Sequence, residues 1–261
     1  MPDMNNALAV GGIVIKELYR RKDFYVLFIL TALITLAMAS FKLFNDEKIV
    51  RYIKEICLLL IWISSLVIAI TTAARQLPAE KELRTIFPLL AKPITRGQLI
   101  FGKFLGCWLA CGMALLLFYV FFGIISGARE HHWPLLNYFQ ALSLHWIFLA
   151  VVITLVLLGS VVFTAVSSNA TISFIVVIGI LFVARHLNKV ALGMPEPGRS
   201  IIYAIYFAIP HLEFYDVRDL IIHNLPLIPW GYWAVAILYG ICYSALFLVG
   251  TWLFFRRKSL N

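Results

Sequence analysis

Long apolar runs constrain this chain more than any other feature. They occupy residues 24–43, 56–74, 99–125, 144–166, 170–186 and 232–255. A helix rises 1.5 Å per residue, so about 20 residues cross a hydrocarbon core of about 30 Å. Five of the runs are near or above that length. The fifth is apolar only from Ala170 to Ala184, 15 residues, and must either extend past Arg185 or rest against protein. Bulk composition agrees, with 62% hydrophobic and 13% charged residues where soluble domains carry roughly 45–50% and about 25%. The expected fold is all-α and polytopic: one permease-type membrane domain over residues 1–261 with six transmembrane helices.

The segments between the runs complete the architecture. Residues 5–22 form an amphipathic stretch ending in Lys16, Arg20, Arg21 and Lys22, which reads as an interfacial helix on a membrane surface. MPDMNNALAV lacks the charged start and cleavage site of a signal peptide. Pro134 opens a short surface helix before the fourth span, and Ser167, Ser168 and Asn169 are expected to form a turn and cap the fifth. Residues 187–230 form the longest non-spanning element. Pro195, Pro197, Pro210, Pro226 and Pro229 break it, and the short apolar run 201–209 with the helix-periodic segment 212–225 is expected to form a re-entrant or interfacial helical hairpin on the outer face.

Basic residues orient the chain. With six spans and both termini inside, thirteen of the 22 Lys and Arg lie inside and nine outside, the nine being spread over longer loops. The net charge of +9 therefore reads as membrane topology, and no nucleic-acid partner is expected. The four cysteines, Cys57, Cys107, Cys111 and Cys242, fall within apolar runs, as small hydrophobes rather than disulfides or metal ligands.

Gly102, Gly106, Ala110 and Ala114 recur every four residues along the third span, a stripe that lets another helix approach closely. Trp62, Ser64, Ser65, Thr71, Thr72 and Trp108 could line a substrate path. Membrane hydroxyls more often bond to the backbone or to a neighbouring helix. Several catalytic patterns fail. Gly97 to Lys103 resembles a phosphate-binding loop, but Phe104 stands where the magnesium-binding hydroxyl belongs. No HExxH helix and no pair of aspartates within spans occurs, and the spanning histidine His145 sits at the outer edge of the fourth span. This chain is expected to be no enzyme and to hold no cofactor or metal.

The polar island from Arg75 to Lys103 separates the second and third spans. It carries six Lys and Arg, the acids Glu80 and Glu82, and Pro88 and Pro93. Three of its pieces, Glu80-Lys81-Glu82-Leu83-Arg84-Thr85, Leu89-Leu90-Ala91-Lys92-Pro93-Ile94-Thr95-Arg96 and Gly102-Lys103-Phe104-Leu105-Gly106, resemble the first cytoplasmic loop of type-2 ATP-binding-cassette transporter permeases. Pro210-His211-Leu212-Glu213-Phe214 and the overall layout are also similar to that family, whereas Arg84 stands where many members have glycine. The resemblance implies a coupling helix within residues 75–98, set in a cleft of a separate cytoplasmic ATPase that carries ATP and Mg. Glu80, Glu82, Arg84 and Thr85 would contact the ATPase, and Lys92, Pro93 and Arg96 would turn the chain back into the membrane. It further implies a second permease copy in a homodimer or pseudo-dimer, a plasma (inner) membrane of a prokaryote surrounding both with lipid, and an exporter. The outer element could also receive an extracytoplasmic partner. Two alternatives remain open at this point: an anchor or regulatory subunit that moves nothing, and an independent channel or carrier.

Overall fold

A computed structural model describes residues 2–20, 22–40, 46–79 and 95–257. Among them the chain is helical, with no strand. The elements run α1 (Pro2–Arg20), α2 (Lys22–Ser40), α3 (Asp46–Arg75), α4 (Arg96–Glu130), α5 (Leu135–Val162), α6 (Val166–Gly193), α7 (Gly198–Ala208), a 3-10 turn (Leu212–Tyr215), α8 (Arg218–Ile222) and α9 (Trp230–Arg257).

Five helices are long and apolar enough to span a membrane: Val50–Arg75, Arg96–Glu130, Leu135–Val162, Val166–Val183 and Trp230–Arg257. The first expected span corresponds to α2, whose apolar part, Phe24–Ala37, is shorter; residues 41–43 of that expectation lie outside the described residues. The centre of the bundle is α5. From Leu135 to Val162 it carries no Asp, Glu, Lys or Arg, and most of its surface is buried, as expected for a helix that is apolar all round. Both α6 and α9 bury only a small part of their spanning segments.

Local chemistry explains where the helices depart from expectation. Thr95 caps α4 through a capping box: its hydroxyl accepts from the Gln98 backbone N–H while Gln98 accepts from the Thr95 N–H. The helix runs on past residue 125, the expected end of the third span, to Glu130 and stops at His131, which adopts a left-handed φ of 54° and donates its N–H to the Gly127 carbonyl. The surface helix expected after Pro134 is instead the first part of α5. Nothing interrupts the helix at Ser143, whose hydroxyl donates to the Gln140 carbonyl at 2.9 Å. Ser167, Ser168 and Asn169 form no turn and no cap. The reversal falls at Phe163–Ala165, α6 starts at Val166 without a side-chain cap, and Asn169 is directed into the bundle. Extension at both ends gives α6 28 residues, which resolves the shortfall of the fifth run.

Candidate functional site

The small-residue stripe finds its partner in α1. A Cβ on Gly106 would stand 2.7 Å from the Gly11 carbonyl oxygen and 2.8 Å from the Val14 Cβ, so backbone meets backbone at this crossing. One on Gly11 would lie 3.2 Å from the Gly102 oxygen. Further along, Ala110 and Ala114 adjoin Leu18 and Phe24. The amphipathic N-terminal helix therefore lies along α4, and the stripe is its track.

Beside this contact lies a basic end of the bundle. Lys103, 3% exposed, donates to Gln76 Oε1 at 3.3 Å, joining the end of α3 to the beginning of α4. The Arg96 guanidinium donates to the Phe255 carbonyl at 2.7 Å and to the Arg256 carbonyl at 3.2 Å. It also lies over the Phe255 ring. These bonds satisfy orphan carbonyls at the C-terminus of α9, where a cation is favoured. Arg96 thus has a definite place in the structure. Glu80, Glu82, Arg84, Thr85, Lys92 and Pro93 lie outside the described residues.

Asn169 ties this end together. Fully buried, its Nδ2 donates to Ser160 Oγ at 2.9 Å, the Ala74 carbonyl at 3.2 Å and the Val156 carbonyl at 3.4 Å. The Ser160 hydroxyl donates to Val156 and Ala73 carbonyls in turn. Asn169→Leu strands these acceptors and is expected to destabilise the protein by about 2 kcal/mol. Thermal unfolding in detergent checks this, with Ser168→Ala as the near-neutral reference.

The opposite end is capped by residues 209–229. Lys54, with no exposed surface, ion-pairs Glu130 at 2.6 Å. It also donates to the Ile221 carbonyl at 3.2 Å and Asn224 Oδ1 at 3.0 Å. Asn224 holds a left-handed φ of 49°. Gln140 exchanges two hydrogen bonds with the Ile228 backbone, and Asn137 donates to the Leu225 carbonyl. Tyr215 donates to the Ala236 carbonyl at 2.8 Å, in space that Gly240 leaves open: a Cβ there would lie 2.6 Å from the Tyr215 oxygen.

Beneath this cap lies a polar cluster. Arg218 binds Asp216 through two parallel bonds of 2.7 and 2.9 Å and lies 5.5 Å from the centre of the Trp62 ring. The bond to Asp216 raises the Arg218 pKa above its ordinary value. Trp62 stacks on Phe148. On facing helices, Ser65 Oγ lies 2.8 Å from His145 Nε2, and Tyr119 Oη lies 3.4 Å from Nδ1. The Ser65 hydroxyl donates to the Trp62 carbonyl at 3.0 Å. A neutral His145 protonated on Nε2 satisfies all of these groups: it donates to Ser65 and accepts from Tyr119. The serine proton then points away from the imidazole, so the pair is not an activated nucleophile.

The proposed path residues do not converge on one cavity. Trp62 and Ser65 belong to the cluster under the cap. Ser64 pairs with Thr31 at 3.3 Å. Trp108 and Trp146 stack with centroids 4.5 Å apart, each indole N–H donating to the other's carbonyl. Thr71 donates to its own helix at Val67 and lines, with Thr72, a groove of about 300 Å³ between α2 and α3. Sequence reasoning missed Lys54, Glu130 and Gln140. One signal was present: Asn137, Gln140 and Ser143 stand three apart on one face of an apolar helix.

Long apolar helices packed around an uncharged central one define a multi-pass α-helical membrane protein. The family model described as ABC-2 family transporter protein matches residues 13–259. The chain belongs to this family and is a membrane permease subunit of an ABC transporter. Family membership implies a partner ATPase and, as a rule, a dimeric arrangement. No curated protein matches the chain significantly.

Proposed function

We propose that this permease is the membrane half of an ATP-driven exporter in a prokaryotic plasma membrane, with both termini cytoplasmic. The basic end then faces the cytoplasm, and the cap over Lys54 faces outward. Two copies of the chain pair with two ATPase subunits. Residues 75–98 form the coupling element, with Glu80, Glu82, Arg84 and Thr85 against the ATPase and Lys92, Pro93 and Arg96 at the return. ATP and Mg are held by the partner, and hydrolysis there moves the spans.

The observation that carries this reading is the family match across residues 13–259, joined to the position of the polar island between α3 and α4. That island holds charges of both signs, suited to a soluble partner with complementary charge. The basic residues gathered at the other end, Arg96, Lys103 and Arg256 among them, support the outward assignment of the cap. The cap also offers a surface to an extracytoplasmic partner.

The test is a mild-detergent pull-down of the tagged chain from native membranes. A soluble P-loop ATPase is expected to co-purify near equal stoichiometry, and Glu82→Lys combined with Glu80→Lys is expected to reduce its recovery about tenfold or more. Reconstitution with that ATPase must then give ATP-dependent movement of a substrate out of the cytoplasmic side. ATPase recovery without movement would favour the anchor or regulatory reading; a stable chain that purifies alone would favour a channel or carrier.

A further inference from the structure

The groove between α2 and α3 has features that the transport reading does not use. It measures about 300 Å³, and its walls include Leu18, Phe24, Leu27, Val67, Thr71 and Thr72. Its polar groups gather at one level. Thr71 and Thr72 stand within about one helical turn, roughly 5 Å, of Arg75 at the end of α3. Val67 lies one turn deeper into the apolar part of the helix. The groove therefore begins where a membrane interface meets α3 and runs inward along a face of aliphatic and aromatic side chains.

Thr72 is 4% exposed, and its hydroxyl has no hydrogen-bond partner among the described residues. Thr71 spends its own hydroxyl on the Val67 carbonyl. A buried hydroxyl without an acceptor carries a desolvation cost that a ligand carbonyl would relieve. Charge frames the same place. Arg20 lies two residues beyond Leu18 and Lys22 two residues before Phe24, both exposed. Lys16 and Glu17, also exposed, sit one turn earlier. Asp23 adds one acid to this stretch and Arg21 one base, for an excess of two positive charges over residues 16–23.

We propose that this groove is a binding site for one anionic phospholipid of the cytoplasmic leaflet. An acyl chain lies along Leu27 and Val67, an ester carbonyl accepts from the Thr72 hydroxyl, and the phosphate is held by Arg20 and Lys22. Three features select this occupant. The groove is open and apolar, as a hydrocarbon chain requires. Its orphan donor stands at ester depth, and its rim is basic, as the negative surface of a cytoplasmic leaflet demands. The inference takes from the preceding reading only that the basic end faces the cytoplasm, and its test needs neither ATPase nor substrate.

The experiment is native mass spectrometry of the full chain released from nanodiscs of equal phosphatidylglycerol and phosphatidylcholine. The wild-type chain is expected to retain one phosphatidylglycerol in preference to phosphatidylcholine. Arg20→Gln with Lys22→Gln, both at exposed positions, should lower that preference on the order of tenfold while a lipid is still retained. Val67→Trp, which fills the groove, should displace the retained lipid of either kind. Equal retention of both lipids by the wild type overturns the proposal, as does lipid retention unchanged by Val67→Trp. If Val67→Trp changes the oligomeric state and leaves lipid unaffected, a second copy covers the groove and the proposal fails.

Discussion

Replacing Lys54 by methionine is expected to destabilise this protein by about 3–5 kcal/mol and to free the cap from the helix ends beneath it. Lys54 is fully buried, and its ammonium is the joint of three elements: Glu130 at the end of α4, the Ile221 carbonyl in α8 and Asn224 in the following turn. Removing it leaves Glu130, whose side chain is only 17% exposed, without its cation. The other oxygen of that carboxylate, Oε2, is already buried without a hydrogen-bond partner among the described residues, so little local compensation exists. The double variant Lys54→Met with Glu130→Gln removes the stranded charge and is expected to recover more than half of the loss, because a neutralised pair avoids the larger part of the penalty. Thermal unfolding measures the cost, and hydrogen exchange at residues 218–228 reports the cap. If exchange there stays at the wild-type rate in Lys54→Met, the lysine does not hold the cap.

The second large effect is expected at Gly106. Leucine at this position drives a side chain into the Gly11 backbone and Val14. Neither is the flexible tip of a side chain, so relief requires α1 to move away from α4. Overpacking of this kind costs about 1–3 kcal/mol. The wider consequence is the release of α1, the helix most extensively packed against α4. Trypsin should then cleave at Lys16 to Lys22 several-fold faster than in the wild type. Gly11→Ala is the graded comparison: its Cβ meets the Gly102 oxygen at 3.2 Å, so a small shift accommodates it and only a slight increase in cleavage is expected. Equal cleavage of wild type and Gly106→Leu would show that α1 does not depend on this crossing.

The apolar runs and their order were legible because a bilayer demands length and hydrophobicity that no soluble segment imitates. The stripe on the third span was legible as a contact surface, although its partner was not. Nothing in Gly102, Gly106, Ala110 and Ala114 names α1, because small residues specify close approach without specifying what approaches. Helix boundaries were harder. The backbone groups of a helix are satisfied internally, so α5 absorbed the segment after Pro134 with no breaker at Ser143 to stop it. The hydroxyls and amide of Ser167 to Asn169 suggested a cap, but Asn169 has better acceptors inside the bundle, among them the buried Ala74 carbonyl where α3 ends. Lys54 and Glu130 looked like loop charges beside apolar runs. Only the fold brings them together with residues 221–224, some 170 positions along the chain from Lys54, and no local pattern encodes that meeting. The docking residues Glu80 to Pro93 rest on the family resemblance alone.

A mechanical property follows from the length of α4. It begins at the Thr95 cap, directly after the polar island, and runs 35 residues without interruption to Glu130, a rod of about 52 Å. One end is fastened through Arg96 to the tail of α9, and the other is gripped by Lys54 under the cap. The paired indoles of Trp108 and Trp146 brace it against α5 along the way. Because no joint separates its ends, a push that tilts this rod beside the island is expected to reach the Lys54–Glu130 bond at its far end as strain.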